Sequence, residues 1–417
     1  MEQPLYMKKL TLIILSILAL VGCEKQPVAE KPVPNTAPTG AEGAAQKAKP
    51  STPAGSTKVQ PKTAKSDGAS GPAAKDAASN LDSAALAKTA KKAVDRGLRF
   101  LRSKQSENGS YGNHVGLTGM ALMAFGESHR DYRYDDGPFI SRAADWVAKQ
   151  ARADGAITGD ATHTYNTALA IMGLQAVDPK RFAKEIKGGQ SFLVKFQSDE
   201  ERKYKEADKF YGGIGYGGDE RPDLSNLHYA LEALKKTDYD PKSDVWAKAQ
   251  KFVSRCQNRS ESNDQPWAGN DGGFIYAPGQ SFAGGTTSYG AMSFAGLKSL
   301  IFTRAGKDDP RVKAVLQWIQ KNYDFSLHPG MDTTSYFYYL QTAAEALRAY
   351  GESKLKDSKG RTRSWTRDLT ERMLQIQKPD GSWVNANKKY WEGNPILATA
   401  RSVITINHAL RSADAQK

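Results

Sequence analysis

Two kinds of helical pattern alternate along residues 84–410. In the first kind, apolar residues form a single stripe, as where Val94, Leu98 and Leu101 recur at helical spacing. This spacing predicts a helix with one buried face and one solvated face. The second kind is apolar almost throughout, as in residues 117–125. A helix without a polar stripe is typically buried on most sides.

A polar turn centred on glycine separates the two patterns in each of six consecutive units. The turns are centred on Gly109, Gly155, Gly212, Gly272, Gly330 and Gly381. A unit that cannot bury its own apolar face must stack on its neighbours. The pattern therefore predicts a double ring, with the striped helices outside and the apolar helices inside.

The first and last turns carry a motif that resembles a known repeat. Both read Gln-x-x-x-Gly-Ser followed by an aromatic residue, which is similar to the Gln-x-x-x-Gly-x-Trp/Tyr repeat of the squalene cyclase and protein prenyltransferase superfamily. The residues concerned are Gln105, Gly109, Tyr111, Gln377, Gly381 and Trp383. The resemblance implies an all-α (α/α)6 toroid over residues 81–417, in which the Gln and the aromatic residue tie the outer helix to the turn.

The catalytic motifs of that superfamily are missing from this chain. There is no Asp-x-Asp-Asp acid, and the acidic pairs Asp135–Asp136 and Asp308–Asp309 are interpreted as helix caps. The prenyltransferase zinc site would need a Cys where Thr334 stands, and a His earlier in the sixth inner helix than His408. We therefore predict no metal and no cofactor, although Asp332 matches the family's zinc-binding Asp.

In toroids of this superfamily the cavity opens where the inner helices begin. The candidate ligand-binding residues at these starts are His114, His163, Tyr165, Asn166, His228, Tyr289, Asp332, Tyr336 and Tyr339, with Thr118, Asn226, Thr399 and Arg401 as further polar candidates. Aromatic walls with a few polar groups suit hydrophobic or glycan ligands. The alternative is structural, because Thr, Asn and Asp at a helix start are often caps. His163 and Asp332 would form an acid–base couple if the fold brought them together.

The N-terminus resembles a bacterial lipoprotein signal. A basic start at Lys8 and Lys9 precedes an apolar run over residues 10–20, and the lipobox-like Leu-Val-Gly-Cys segment ends at Cys23. The resemblance implies a signal peptide over residues 1–23, lipidation of Cys23 and anchoring to a membrane of the cell envelope, with the outer membrane or periplasmic face favoured. The alternatives are an uncleaved anchor and a chance match to the lipobox. The Pro-, Ala- and Lys-rich residues 24–80 are predicted to form a disordered tether.

Charge and cysteine content add little to this picture. The net charge of the chain is +14, and the charged residues of 81–417 are scattered over the predicted outer helices, which favours solvated surfaces over a nucleic-acid site. Cys256 ends a striped helix and is interpreted as a packed, inert thiol.

Three functions are compatible with these features. The leading hypothesis is binding of a hydrophobic or glycan ligand, or of a protein partner, without catalysis, because the known catalytic motifs are absent. The alternative is a divergent enzyme, either a cyclase, isomerase or transferase of this superfamily or a polysaccharide-active (α/α)6 enzyme. Assembly through the outer ring is the third.

Overall fold

The computed structural model describes residues 81–217 and 221–415, in which outer and inner helices alternate. The outer helices are α1 (Ser83–Ser103), α3 (Pro138–Ala148), α5 (Ala183–Lys195), α7 (Val245–Arg255), α9 (Pro310–Lys321) and α11 (Trp365–Ile376). The inner helices are α2 (Val115–Gly126), α4 (His163–Val177), α6 (Leu224–Lys236), α8 (Gly290–Phe302), α10 (Tyr336–Tyr350) and α12 (Pro395–Asp414). A hairpin of β1 (Lys354–Lys356) and β2 (Thr362–Ser364) precedes α11. The predicted signal, Cys23 and the tether lie outside the described residues.

The inner helices form a closed ring. Each packs against the next, from α2 through α4, α6, α8 and α10 to α12, and α12 packs back against α2. The last outer helix, α11, also contacts the first, α1. The predicted (α/α)6 toroid is thereby confirmed. No helix among the described residues combines the length and apolarity that a membrane crossing requires.

Burial follows the two sequence patterns. The stripe residues Val94, Leu98 and Leu101 of α1 are at most 4% exposed, and α2 is buried along its whole length. Small residues allow the inner helices to approach closely. A Cβ on Gly119 would lie 2.5 Å from the carbonyl oxygen of Leu169, so α2 and α4 meet backbone to backbone.

The turn glycines allow each turn to pack closely against the next outer helix. Gly109 has a φ of +91°, and a Cβ there would lie 2.4 Å from the carbonyl oxygen of Arg142 in the following outer helix. Gly381 has a φ of +88° and makes the same approach to Arg96 of α1. Only glycine combines this backbone conformation with so close a contact. The last turn therefore docks on the first helix and completes the ring.

The Gln residues of the repeat motif tie neighbouring units together. Gln105 Nε2 donates to the carbonyl oxygens of Gly109, at 2.9 Å, and of Phe139 in the next outer helix, at 2.8 Å. Gln377 makes the same bond within its own turn and reaches Ala93 O of α1 at 2.9 Å. The role that the family resemblance implied for these residues is confirmed.

Two further Gln residues make equivalent hydrogen bonds between units, although they do not match the motif. Gln197 and Gln257 each donate to the turn glycine of their own unit and to a carbonyl at the start of the next outer helix. Each lies 15 residues before its turn glycine, instead of the four residues of the motif. Because a loop is inserted between each Gln and its turn glycine, the four-residue spacing of the motif does not identify these two units.

The aromatic residues of the motif are held by inner-helix hydroxyls. The backbone N–H of Tyr111 donates to Thr118 Oγ1, and that of Trp383 donates to Thr399 Oγ1, both at 3.0 Å. Trp383 also donates through Nε1 to Met373 O of the outer helix α11. Thr118 and Thr399 are therefore ties between turn and inner helix, which corrects their assignment as cavity residues.

Candidate ligand-binding site

Two neighbouring pockets that share three lining residues lie where the inner helices begin, at the end of the ring predicted from the sequence, and we call them the two lobes of the cavity. The first lobe has a volume of about 70 Å³ and the second about 60 Å³. Tyr165, Tyr390 and Arg401 line both lobes. The first lobe is also walled by Ser225, Tyr276, Phe282, Tyr289, Tyr338 and Glu392, and the second by His114, Leu117, Met120, Asn166 and Leu397.

Two loops meet over the cavity and form its roof. The rings of Phe282 and Tyr390, one from each loop, lie 6.1 Å apart, and Trp391 packs edge-on against His114. Tyr390 and Trp391 have φ values of +55° and +64°, which non-glycine residues adopt only when their surroundings hold them there. Pockets for drug-sized ligands span about 300–1,000 Å³. A ligand of that size therefore requires this roof to shift.

A relay of hydroxyl groups runs from the cavity wall to a buried imidazole. Tyr165 OH is hydrogen-bonded to Ser225 Oγ, which lies 2.7 Å from Tyr338 OH. Tyr338 OH in turn lies 2.7 Å from His228 Nε2. Burial lowers the pKa of His228 well below its usual value, and nearby Lys298 adds to this effect, so the imidazole is neutral. Because each hydroxyl can donate or accept, the hydrogen bonds of the relay can point in either direction along it.

Arg401 stands at the junction of the two lobes. Its Nη1 donates to Tyr229 OH at 2.9 Å and to Gln341 Oε1 at 2.7 Å. The guanidinium also lies 5.1 Å from the centre of the Tyr338 ring. These three groups are neutral, so they orient the guanidinium without cancelling its charge.

Two carboxylates near the cavity are already engaged. Glu392 is 1% exposed and accepts hydrogen bonds from Tyr338 N and Asn385 Nδ2, while burial raises its pKa. Asp160 lies beside the second lobe, 3.2 Å from His114 Nε2. Burial alone would raise the pKa of Asp160, but the close contact with His114 and the hydrogen bonds from Thr162 lower it to about 2.

Asp223 caps α6 beneath the first lobe. Its two oxygens accept from the backbone N–H and the side-chain amide of Asn226, at 2.8 and 2.7 Å. Burial nevertheless raises its pKa from 3.8 to about 6. The folded state thus binds this proton more tightly than the unfolded state. The resulting stability is fully present below about pH 4 and is lost as the pH rises through about 6.

Replacing Asp223 by Asn removes this titration and keeps a good capping residue. We expect the stability of the Asp223→Asn protein, relative to the parent, to increase by about 1–3 kcal/mol between pH 4 and pH 7. Urea unfolding across this range measures the difference.

The matched control is Asp309, which caps α9. The hydrogen bond from Arg311 lowers the pKa of Asp309, so its stability is present above the unfolded pKa and is lost on acidification. Asp309→Asn should therefore lose stability relative to the parent as the pH rises. If the free energies of unfolding of Asp223→Asn and the parent changed with pH in parallel, the raised pKa assigned to Asp223 would be contradicted.

A charge cluster closes the axis of the ring below the cavity. Lys298 Nζ lies 2.6 Å from carboxylate oxygens of both Glu232 and Glu345, and these three side chains are at most 3% exposed. Lys236 joins Glu232 to Glu127 at the end of α2. We call these five residues the axial charge cluster. Burial would raise the pKa of Glu232, but Lys298 and Lys236 outweigh it and hold that pKa below its usual range.

Most of the predicted candidates lie at or near the cavity. His114 and Asn166 line the second lobe, Tyr289 lines the first, and Tyr165 lines both. His228 lies behind the wall, at the end of the relay. His114 also caps α2, and Asn166 accepts from Gly116 N, so both have structural roles as well.

Tyr336 and Tyr339 point away from the cavity, which corrects their assignment to it. Their hydroxyls donate to the carbonyl oxygens of Phe325 and Asp324, in the segment that precedes α10. The member of this aromatic run that lines the cavity is Tyr338. The helix begins at Tyr336. If the helix is assumed to begin as early as Asp332, the helical periodicity assigns Tyr336 and Tyr339 to the cavity face. Tyr338 was not predicted as a cavity residue for this reason.

Asp332 and His163 do not form an acid–base couple. Asp332 is exposed in a turn with a φ of +52°, and its backbone pairs with His328. Its expected capping role is wrong, because Ser335 occupies that position. His163 packs against Phe192 of the outer helix α5, with ring centres 6.4 Å apart.

Two other sequence interpretations have different outcomes. Asp309 caps α9 as predicted, but Gly137 holds the capping position of α3, so the capping role of Asp135–Asp136 is wrong. Cys256 is fully buried, and burial raises its pKa, which confirms the packed thiol. No group of three or more potential metal ligands occurs among residues 81–217 and 221–415.

Solved structures of helical toroids resemble this chain. The apo form of the type II terpene cyclase MstE from Scytonema aligns at 13% identity and a TM-score of 0.48, over 78% of this chain and 99% of the cyclase. A variant of that cyclase in complex with the product merosterolic acid A aligns at 12% and 0.48, over 79% and 100%. A wild-type glycosidase aligns at 14% and 0.47, over 80% and 100%.

These similarities are of fold only. Identities and TM-scores this low carry no argument about family or function. No protein-family model and no curated protein matches the chain. The toroid itself rests on the contacts among the chain's own helices.

Proposed function

We propose that this protein binds a small amphipathic molecule in the two-lobed cavity, and that a lipid on Cys23 holds the toroid at a membrane surface. The observation that carries the binding proposal is the aromatic cavity in which a charged group, Arg401, lines both lobes. Aromatic walls with a few placed polar groups are typical of small-molecule sites. The anchor is supported by the lipobox-like sequence and the tether.

A second candidate function is proton-transfer catalysis on the same ligand. The relay from Tyr165 to the neutral imidazole of His228 favours it, because such a chain can move a proton to or from a bound molecule. It supports an isomerase or cyclase over a glycan hydrolase. Hydrolysis needs two carboxylates facing the substrate, whereas both oxygens of Glu392 accept hydrogen bonds within the protein.

Native mass spectrometry of the full chain, purified from the cells that naturally produce it, tests both parts of the proposal. We expect a reproducible small-molecule adduct and a mass that includes acyl chains on Cys23. Leu397→Trp and Met331→Trp should each abolish the adduct, because each adds volume to one lobe. Conversion of the released molecule by fresh protein would establish catalysis.

Leu327→Trp is the matched control. Leu327 is 45% exposed and lies outside both lobes, so this variant should keep the adduct. A folded parent protein without any adduct would contradict ligand binding. An adduct that survives in both lobe variants would place the ligand elsewhere, and an unmodified Cys23 would refute the anchor.

A further inference from the structure

Arg401 is a partly buried positive charge that forms no ion pair with a carboxylate of the described residues. Its hydrogen bonds go to Tyr229 OH and Gln341 Oε1, both uncharged acceptors. Its Nε is buried without any hydrogen-bond partner. No ion pair within the described residues includes Arg401, whereas the equally central Lys298 has two carboxylates. Buried charges in proteins are normally paired, because an unpaired one carries the full cost of desolvation.

Glu392 attracts Arg401 electrostatically but does not form an ion pair with it. Glu392 is the carboxylate on the wall of the first lobe, and its oxygens accept from Tyr338 N and Asn385 Nδ2. Asp160 near the second lobe is engaged with His114. Both acidic groups are thus held by other partners, while the guanidinium faces the junction of the two lobes.

We propose that the ligand of this cavity carries a carboxylate, which Arg401 binds where the two lobes meet. The proposal rests on the ligand-binding function proposed above and specifies its chemistry. A guanidinium presents paired donors that match the two oxygens of a carboxylate. The rings of Tyr165, Tyr276 and Tyr289 then contact the rest of the molecule. An acyl or terpenoid chain and a sugar ring both pack well on such aromatic faces.

The contribution of the carboxylate to binding can be measured with pairs of probes that differ only in the acidic group. Isothermal titration calorimetry of the full chain would compare octanoate with octanamide, and glucuronate with glucose. We expect at least one acid to bind tenfold or more tightly than its neutral counterpart. The first pair reports a lipid-like ligand and the second a uronic acid. Arg401→Gln should remove the preference for the acid, and Arg401→Lys should retain part of it.

The outcomes separate this inference from the proposed function. An acid and its neutral counterpart that bind equally well would overturn the carboxylate and leave the ligand-binding function standing. Recovery from cells of a bound molecule without an acidic group would do the same. Failure of all four probes together with a parent free of any adduct would overturn both. If Arg401→Gln does not fold, the comparison of acid and neutral probes on the parent protein still tests the proposal. Arg401→Lys then reports whether the preference for the acid depends on this side chain.

Discussion

Replacement of Lys298 by Met is expected to lower the free energy of unfolding by about 3–5 kcal/mol. The ammonium group of Lys298 is shared by Glu232 and Glu345, and all three side chains are buried at the axis of the ring. Methionine fills a similar volume but leaves two carboxylates without their common partner. Urea unfolding of the full chain, followed by circular dichroism, measures the loss.

Two further variants identify the cause of that loss. Lys321→Met removes an exposed lysine at the end of α9 and should change the stability by less than about 0.5 kcal/mol. Combining Lys298→Met with Glu232→Gln and Glu345→Gln should recover much of the stability, because no unpaired charge remains. A single Lys298→Met variant as stable as the Lys321→Met control would show that the axial charge cluster is not a buried network.

Replacement of Gly212 by Ala is expected to lower the free energy of unfolding by about 3–5 kcal/mol. The residue has a φ of +81°, and a Cβ there would lie 1.8 Å from the carbonyl oxygen of Lys248 in α7. The turn must therefore move away from α7. Such a movement disrupts the bonds of Gln197 to Gly212 and Val245. Thermal and urea unfolding of the variant give the magnitude.

Gly284 provides the matched control, because it shares the backbone conformation without the crowding. Its φ is +95°, and a Cβ there would meet nothing within 4 Å. Gly284→Ala should therefore cost only the conformational strain, about 1–2 kcal/mol. Equal losses in the two variants would mean that close contact between units contributes nothing.

The ring was predictable because local patterns determine it. The stripe of α1, the apolar run of α2 and the motif residues Gln105 and Gln377 depend only on spacing within a segment. Each predicts its own helix or turn without information about distant residues. Repetition of the unit then predicts how the helices stack.

The site was less predictable because it depends on register between distant helices. Glu232, Lys298 and Glu345 stand at similar depths in three inner helices, and this similarity is visible in the sequence. The choice of Tyr338 over its neighbours depends on where α10 begins. The roof residue Tyr390 lies in a loop with no repeated pattern, and its backbone conformation is held by contacts that spacing cannot show.

The ring cannot close until synthesis of the chain is almost complete. Gln377 reaches Ala93 across 284 positions of sequence, so the first outer helix lacks its final neighbour until the sixth unit has been made. At translation rates of about 5–20 residues per second, that interval lasts roughly 15–60 s. Throughout it, the nascent chain exposes an apolar flank that only its own last segment can cover. The polypeptide therefore depends on its final hairpin to protect its first.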